Sequence, residues 1–563
     1  MISRNGGQLV VDALQIHGVD TIFGVPGESY LPVLDALHDS PIRFIINRQE
    51  GGAAFMADAY GKLTGRPGIC FVTRGPGATN ASIGVHTAFQ DSTPMILFIG
   101  QVGNDFVERE AFQEIDYRRM FGQMAKWVAQ IDRAERIPEY IARAFQVATS
   151  GRPGPVVLAL PEDCLSARTE VADTRHYTPV QASASSVQLA QLRQHLSVAH
   201  RPIVLLGGGG WNLQACNDIA AFAQANHLPV ACAFRFQDLI DNAHPNYIGD
   251  VGIGINPKLA QRIKDADLII AIGPRLGEIT TGGYTILQAP IPQQKLIHVH
   301  SDALELGRVY QADLMINSGM QEIAGSLAGM APVDARAWQQ SVSQGKEDLF
   351  VWQQEPSLFT QEQAPLNLWK VVQTIQQNTP ADTIITNGAG NYATWAHRYY
   401  AYGGFRTQLA PTSGAMGYGV PAGIAAKIRQ PERTVITFAG DGEYLMNGQE
   451  LATAVQYNAG VIIIVFNNSM FGTIRMHQER EFPGRVSGTT LHNPDFAALA
   501  RAYGALGEVV NRTEEFAAAL HKALEHSREH QLPALIELRY DGNLITPGAS
   551  LATIRQTAKA TGR

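Results

Sequence analysis

Residues 434–472, TVITFAGDGEYLMNGQELATAVQYNAGVIIIVFNNSMFG, decide how this chain is read. Two short apolar, β-branched runs end in turn residues, the first at Gly440-Asp441-Gly442 and the second at Asn467-Asn468. Runs of this length and composition read as buried strands, and the residues from Glu443 to Phe466 read as one helix followed by the return strand. A strand, a helix and a second buried strand make a parallel pair, which places both strand ends at the same edge of an α/β sheet. That edge is where such sheets hold ligands. Asp441 and Asn468 supply hard oxygen donors of the kind Mg²⁺ takes, and the glycines let backbone approach a phosphate closely. A helix N-terminus after Gly442 adds a favourable field for an anion. A GDG triplet by itself reads as an ordinary strand-to-helix turn. The spacing, with residues 443–466 reading as helix and then strand, is what makes it specific.

The same alternation extends outward in both directions. Before the linker-like TPVQASASSVQ at 178–188 lie TIFGV, RFIIN, GICFVT, MILFIG and PVVLAL; after it lie PIVLLG, PVACAF, LIIAIG and KLIHVH. Beyond a polar helical stretch at 336–355 come IITNG, the two runs above, and ALIELRY. Three α/β units follow, over 1–177, 189–330 and 360–545, with a tail at 546–563. The N-terminal residues read as an amphipathic helix.

Composition restricts the function. The 44 basic and 51 acidic residues are mixed along the chain, so no basic tract is available for nucleic acid. No apolar run reaches the roughly 18 residues of a membrane span. The four cysteines, Cys70, Cys164, Cys216 and Cys232, fit neither a zinc site nor a disulfide framework, which favours a reducing, cytoplasmic setting.

GDG followed by NN at this spacing resembles the thiamine-diphosphate enzymes of the acetolactate synthase, pyruvate oxidase and 2-oxo acid decarboxylase superfamily. The likeness spans nearly the whole chain and is nearest to acetolactate synthase large subunits. It implies three doubly wound domains: pyrimidine-binding, central and diphosphate-binding. It also implies that Asp441, Asn468 and the carbonyl of Met470 bind Mg²⁺, flanked by the cofactor contacts Gly440, Gly442, Glu443, Phe471 and Gly472. PTSGAMGYGVPAGIAAK resembles the pyrimidine-binding loop, with Gly414 as a backbone acceptor and Met416 as the wedge that bends the cofactor; Gly390 and Asn391 match positions near the diphosphate. FIINRQEGGAAFMADAYGKLTGRPG and VTRGPGATNASIG resemble the catalytic-glutamate segment and the turn that follows it. Glu50 is then the group that shares a proton with N1′ of the pyrimidine, a task for a partly buried carboxyl. AFQEID places Phe112 and Gln113 toward the thiazolium, and His86 matches an active-site histidine of several decarboxylases. The resemblance further implies a homodimer or homotetramer whose active site takes Glu50 from one subunit and the diphosphate site from another.

Two departures bear on substrate choice. The arginine that receives a second 2-oxo acid in acetolactate synthases is replaced by Ile279, in Gly273-Pro274-Arg275-Leu276-Gly277-Glu278-Ile279. The tryptophan of their RQWQ is replaced by His477, in Arg475-Met476-His477-Gln478. The reading is a carboligase or lyase on 2-oxo acids, with a non-ligating decarboxylase, a 2-hydroxyacyl-CoA lyase and a flavin-dependent pyruvate oxidase as alternatives. Gly207–Gly210 do not form GxGxxG, and Arg275 matches only one residue of the family's FAD site, so FAD stays open.

Overall fold

The computed structural model describes residues 3–362 and 364–561, so the extreme ends of the first and last segments lie outside the described residues. The chain forms two compact units, residues 1–181 with 424–429, and residues 182–423 with 430–563.

In the first unit, strands β1 (Thr21–Gly24), β2 (Arg43–Ile46), β3 (Gly68–Val72), β4 (Met95–Gln101), β5 (Trp127–Gln130) and β6 (Pro155–Pro161) form a parallel sheet in the order β2-β1-β3-β4-β6-β5. Its central strands are apolar on both faces because helices cover both, as parallel sheets require. Phe71 and Phe98 stack at 4.6 Å in the core beneath. Helices α1 (Glu50–Thr64) and α2 (Gly75–Asp91) pack through small residues. A Cβ on Gly84 would fall 2.3 Å from that of Ala54, so this close crossing requires the glycine.

The second unit holds two further six-stranded parallel sheets. The central one contains β7 (Pro202–Leu206), β8 (Val230–Cys232), β9 (Tyr247–Asp250), β10 (Leu268–Ile272), β11 (Lys295–His300) and β12 (Leu314–Asn317), ordered β9-β8-β7-β10-β11-β12. The other contains β13 (Ile384–Asn387), β14 (Gln408–Leu409), β15 (Val435–Gly440), β16 (Ile462–Asn467), β17 (Leu506–Val510) and β18 (Ala534–Arg539), ordered β14-β13-β15-β16-β18-β17. The first and last sheets of the chain therefore share one topology, and the central sheet has the dinucleotide-fold order. The three doubly wound units expected from the sequence are present. The two sheets of this unit are joined by buried polar contacts: Asn242 exchanges hydrogen bonds with the backbone of Tyr402 (2.9 and 3.1 Å), and the Gln237 amide donates to Gln408 Oε1 at 3.0 Å.

The helix expected after Gly442 starts earlier and is broken. Helix α3 covers Asp441–Asn447, capped by Gly440; a 3₁₀ turn at Gly448–Glu450 follows, then a helix at Leu451–Gln456. The break falls at Gly448, where a Cβ would lie 2.6 Å from the Tyr444 ring. Further on, α4 (Gly472–Glu481) follows β16. Residues read as a tail contribute to a hairpin, Leu544–Thr546 with Ala549–Ser550, and to α5 (Leu551–Ala560), which packs on α4. All four cysteines are buried thiols. Among the described residues no helix is long and apolar enough to cross a membrane.

Candidate functional site

In the last sheet, successive connections leave β13 toward β14 on one side and β15 on the other, so β13 and β15 flank a topological switch point. At the carboxyl ends of β13, β15 and β16 lies a cavity of about 190 Å³. Asp441, Asn468 and Met470 line it together with Gly440, Gly442 and Glu443. Gly390, Asn391, Gly414, Met416, Phe471 and Gly472 complete the set that the sequence had singled out in this half of the chain. Four short segments spread over residues 390–472 are thus brought to one place.

Asp441 is buried, and burial pushes its carboxyl above the usual range while hydrogen bonds from Gly442 N–H and Asn493 pull it back. Gly442 N–H donates to Oδ1 at 2.9 Å, and Asn493 Nδ2 donates to Oδ2 at 2.8 Å and to Asn467 Oδ1 at 2.9 Å. Asn493 thus fixes the rotamer of Asp441 and ties it to the end of β16. Asn468 Oδ1 accepts from Met470 N–H at 3.3 Å across a turn in which Ser469 has φ +56°. Thr473, at the start of α4, accepts from Asn391 N–H at 3.0 Å and donates to Asn391 Oδ1 at 3.1 Å, which joins the β13 loop to α4. A Cβ on Gly440 would meet the Tyr392 ring at 2.9 Å, and one on Gly442 the Phe471 ring at 2.5 Å. Bare backbone is therefore enforced at both glycines beside Asp441.

These features fit a divalent cation and an attached diphosphate. One carboxylate, one amide oxygen and a backbone carbonyl are the hard donors Mg²⁺ accepts. Among the described residues no group of three His, Cys, Asp or Glu side chains is placed to hold a metal.

Glu443 is held by protein groups. Tyr392 Oη donates to its Oε2, and Gly417 N–H donates to Oε1 at 3.2 Å. Burial raises this carboxyl to about 7, against the opposing pull of Tyr392 and Arg235.

The first unit gathers its own candidates around α1 and α2. Glu50 is the first residue of α1, half-buried, and its Oε2 accepts from Asn80 Nδ2 at 2.9 Å. A Cβ on Gly77 would lie 3.4 Å from Glu50 Oε1, so the GPG turn abuts this carboxylate. On the other side of that turn, Gly75 N–H donates to the carbonyl of Gln113 at 2.9 Å. Gln113 has φ +66°, and Gln101 holds its loop by donating to Ile115 O at 2.9 Å. Phe112 beside it is 73% exposed. His86 is exposed further along α2. Asn80, which sequence reading did not single out, lies within GPGATN, which the structure folds as the start of α2 and not as a separate turn; Asn493 and Tyr392 carried no signal.

In the central sheet the switch point lies between β7 and β10. A Cβ on Gly208 would lie 2.1 Å from Gly273 O, one on Gly207 2.8 Å from Ala233 and 2.9 Å from Pro274, and Trp211 Nε1 donates to Gly207 O at 2.9 Å. Packing of these two strand ends against each other accounts for the glycines.

Comparison with known proteins agrees with this geometry. Residues 4–120 match the thiamine pyrophosphate enzyme N-terminal TPP binding domain, 189–327 its central domain, and 388–538 its C-terminal TPP binding domain. The chain is 32% identical to the acetolactate synthase isozyme 2 large subunit of Escherichia coli K12, over 97% of this chain and 98% of that protein. It is 33% identical to the acetolactate synthase large subunit of Lactococcus lactis, over 89% and 87%, and 31% identical to a probable acetolactate synthase large subunit of Methanocaldococcus jannaschii, over 98% and 95%. The chain belongs to the thiamine-diphosphate enzyme family and is a thiamine-diphosphate-dependent enzyme of the acetolactate synthase type.

Proposed function

We propose that this enzyme binds thiamine diphosphate through Mg²⁺, releases CO₂ from pyruvate or a related 2-oxo acid, and joins the remaining acyl carbon to a carbonyl acceptor. The observation that carries this reading is the cavity at the β13/β15 switch point, where Asp441, Asn468 and Met470 meet the loops of Gly390 and Gly414. Thiamine diphosphate, when bound, supplies the stabilised carbanion that such carbon–carbon chemistry requires. The protein's part is placement. Asp441, Asn468 and the Met470 carbonyl hold the metal, and the bare backbone at Gly440 and Gly442 admits the diphosphate. The Gly414 carbonyl would accept the pyrimidine amino group, and Met416 would pack against the cofactor. Glu50, from another subunit of a homodimer or homotetramer, holds a proton at N1′. Phe112 and Gln113 would face the thiazolium, and His86 the substrate. Several relatives are named large subunits, so a small regulatory partner is also part of this reading.

Ile279 and His477 stand where acetolactate synthases carry an arginine and a tryptophan, so a second 2-oxo acid lacks its carboxylate partner. Incubation with cofactor, Mg²⁺ and a panel of 2-oxo acids and aldehydes, with products identified by mass spectrometry, tests both points. Hydroxyketones from aldehyde acceptors are expected, with 2-oxobutyrate a poor acceptor, and EDTA abolishing turnover. Full activity after chelation and cofactor removal refutes the metal assignment. Preference for 2-oxobutyrate refutes the acceptor reading, and release of aldehyde alone moves it to a non-ligating decarboxylase.

A further inference from the structure

Arg235 lies in the loop after β8, in the central sheet, yet its side chain ends in the loops of the last sheet. It is buried, with backbone φ +66°, and its guanidinium stands 4.8 Å from the Phe234 ring centroid. Nη2 donates to Gly388 O at 2.6 Å, and Nη1 donates to Pro411 O. Gly388 follows β13 and leads to Gly390 and Asn391; Pro411 opens the loop that carries Gly414 and Met416. One fork therefore holds both loops that line the cavity.

The connection continues inward. Gly388 N–H donates to Tyr392 Oη at 3.0 Å, Tyr392 Oη donates to Glu443, and Gly417 N–H donates to the other Glu443 oxygen at 3.2 Å. A Cβ on Gly388 would fall 1.6 Å from Glu443 Oε1, so this carboxylate lies directly against the loop. The positive charge of Arg235 acts on both Glu443 and Tyr392. A planar guanidinium presents several donors in a fixed fork, so it can hold two carbonyls on separate loops while its charge offsets a buried carboxylate; a lysine cannot do all of this at once.

Attachment of the two sheets does not depend on this residue. Gln237 Nε2 donates to His397 O at 2.7 Å, Asp238 accepts from Arg406 N–H at 2.9 Å, and Asn242 pairs with Tyr402. We propose that Arg235 is a positioning residue for the cofactor site, a central-domain side chain that fixes the 388–391 and 411–417 loops in register with the Asp441 turn through Gly388, Pro411 and the Tyr392–Glu443 pair. The inference rests on reading the β13/β15 cavity as the thiamine-diphosphate site.

The test is calorimetric titration of thiamine diphosphate at saturating Mg²⁺ into apoenzyme, with thermal unfolding of each apo variant alongside. Arg235→Met should raise Kd by about 10-fold or more, the effect typical of losing a group that orients ligand-binding residues. Arg235→Lys should fall between it and wild type. The control Gln237→Ala should lower the unfolding temperature and leave Kd within about twofold of wild type, by the same reasoning about which groups orient the loops. Arg235→Met binding as wild type does overturns the role of Arg235. Wild-type enzyme that fails to bind thiamine diphosphate overturns the site reading beneath it. Should Arg235→Met not fold, Arg235→Lys decides by the same criteria: a Kd equal to wild type is the overturning result.

Discussion

Glu50 illustrates what a single side chain contributes and how it is held. Its carboxylate stands at the first turn of α1, where the helix field favours negative charge, and Asn80 on α2 donates to it at 2.9 Å. In the proposed function it shares a proton with N1′, so replacement by glutamine keeps the size and one hydrogen bond but loses the exchangeable proton. Glu50→Gln should slow loss of the C2 proton from bound thiamine diphosphate and lower turnover by roughly 10²-fold or more, with folding intact. Hydrogen–deuterium exchange at C2 isolates this step, and equal rates in the two proteins would remove Glu50 from it. At this scale the sequence was legible where chemistry and chain spacing coincide: Asp441 and Asn468 close consecutive strands, so their approach follows from the parallel pairing of β15 and β16. Asn493 and Arg235 were not legible. Each reaches its partner across tens to hundreds of residues of chain, Asn493 to Asp441 and Arg235 to Gly388, through a loop whose path no local pattern specifies.

Elements show the same division. Every central strand of the three sheets was visible as an apolar run, because a strand covered on both faces must be apolar throughout. The strands that escaped notice, β5, β9, β12, β14 and β17, all lie at sheet edges. There one side of the ladder is unpaired, and burial is mostly partial at Trp127–Gln130, Leu314–Asn317 and Leu506–Val510, so mixed residues are tolerated; Tyr247–Asp250 and Gln408–Leu409 are mostly buried but only four and two residues long. Helix α5 escaped for a different reason: it is held by charge more than by an apolar stripe. Arg555 donates to both oxygens of Glu479 on α4, at 2.6 and 2.8 Å, and Gly484 N–H and Arg475 complete the carboxylate's partners. The Arg555 contact foremost holds Glu479 down to about 2, below an unfolded glutamate. A depressed folded-state value means that the latch contributes fully above the unfolded pKa, near 4.5, and is lost as pH falls toward 2. Arg555→Ala should therefore free α5, at a cost of about 1–3 kcal/mol because Arg475 still serves the carboxylate. Protection of the 551–560 amides, taken relative to intrinsic exchange at the same pH, should fall in that variant at neutral pH and in wild type on acidification. Unchanged protection in Arg555→Ala would show that apolar packing alone docks the helix.

At the scale of the whole molecule, the second unit joins its two sheets through buried polar groups, and the acids among them make that joint sensitive to pH. Asp250, at the end of β9, accepts from Gln237 Nε2 at 3.2 Å and has Tyr247, Tyr402 and Cys232 close around it. Burial raises it to about 7, and burial raises Asp238, in the same joint, to about 6, against hydrogen bonds from Gln408 and Arg406. Arg433 also acts on Asp238. Both folded-state values lie above the unfolded one, 3.8. Their contribution to stability is therefore complete below about pH 4 and is lost as the pH rises through 6 and 7, when each carboxyl must ionise away from water. The loss is on the order of a few kcal/mol, enough to register in a fold whose net stability is small. Asp250→Asn keeps the acceptor for Gln237 and cannot ionise. The unfolding temperature of wild type should fall between pH 5 and pH 8, and that of Asp250→Asn should fall less. Comparing slopes cancels any fixed cost of burying the amide, so the variant is informative even if it is less stable throughout. Parallel slopes would mean that Asp250 is already ionised in the folded joint, with its charge balanced by the arginines around Asp238.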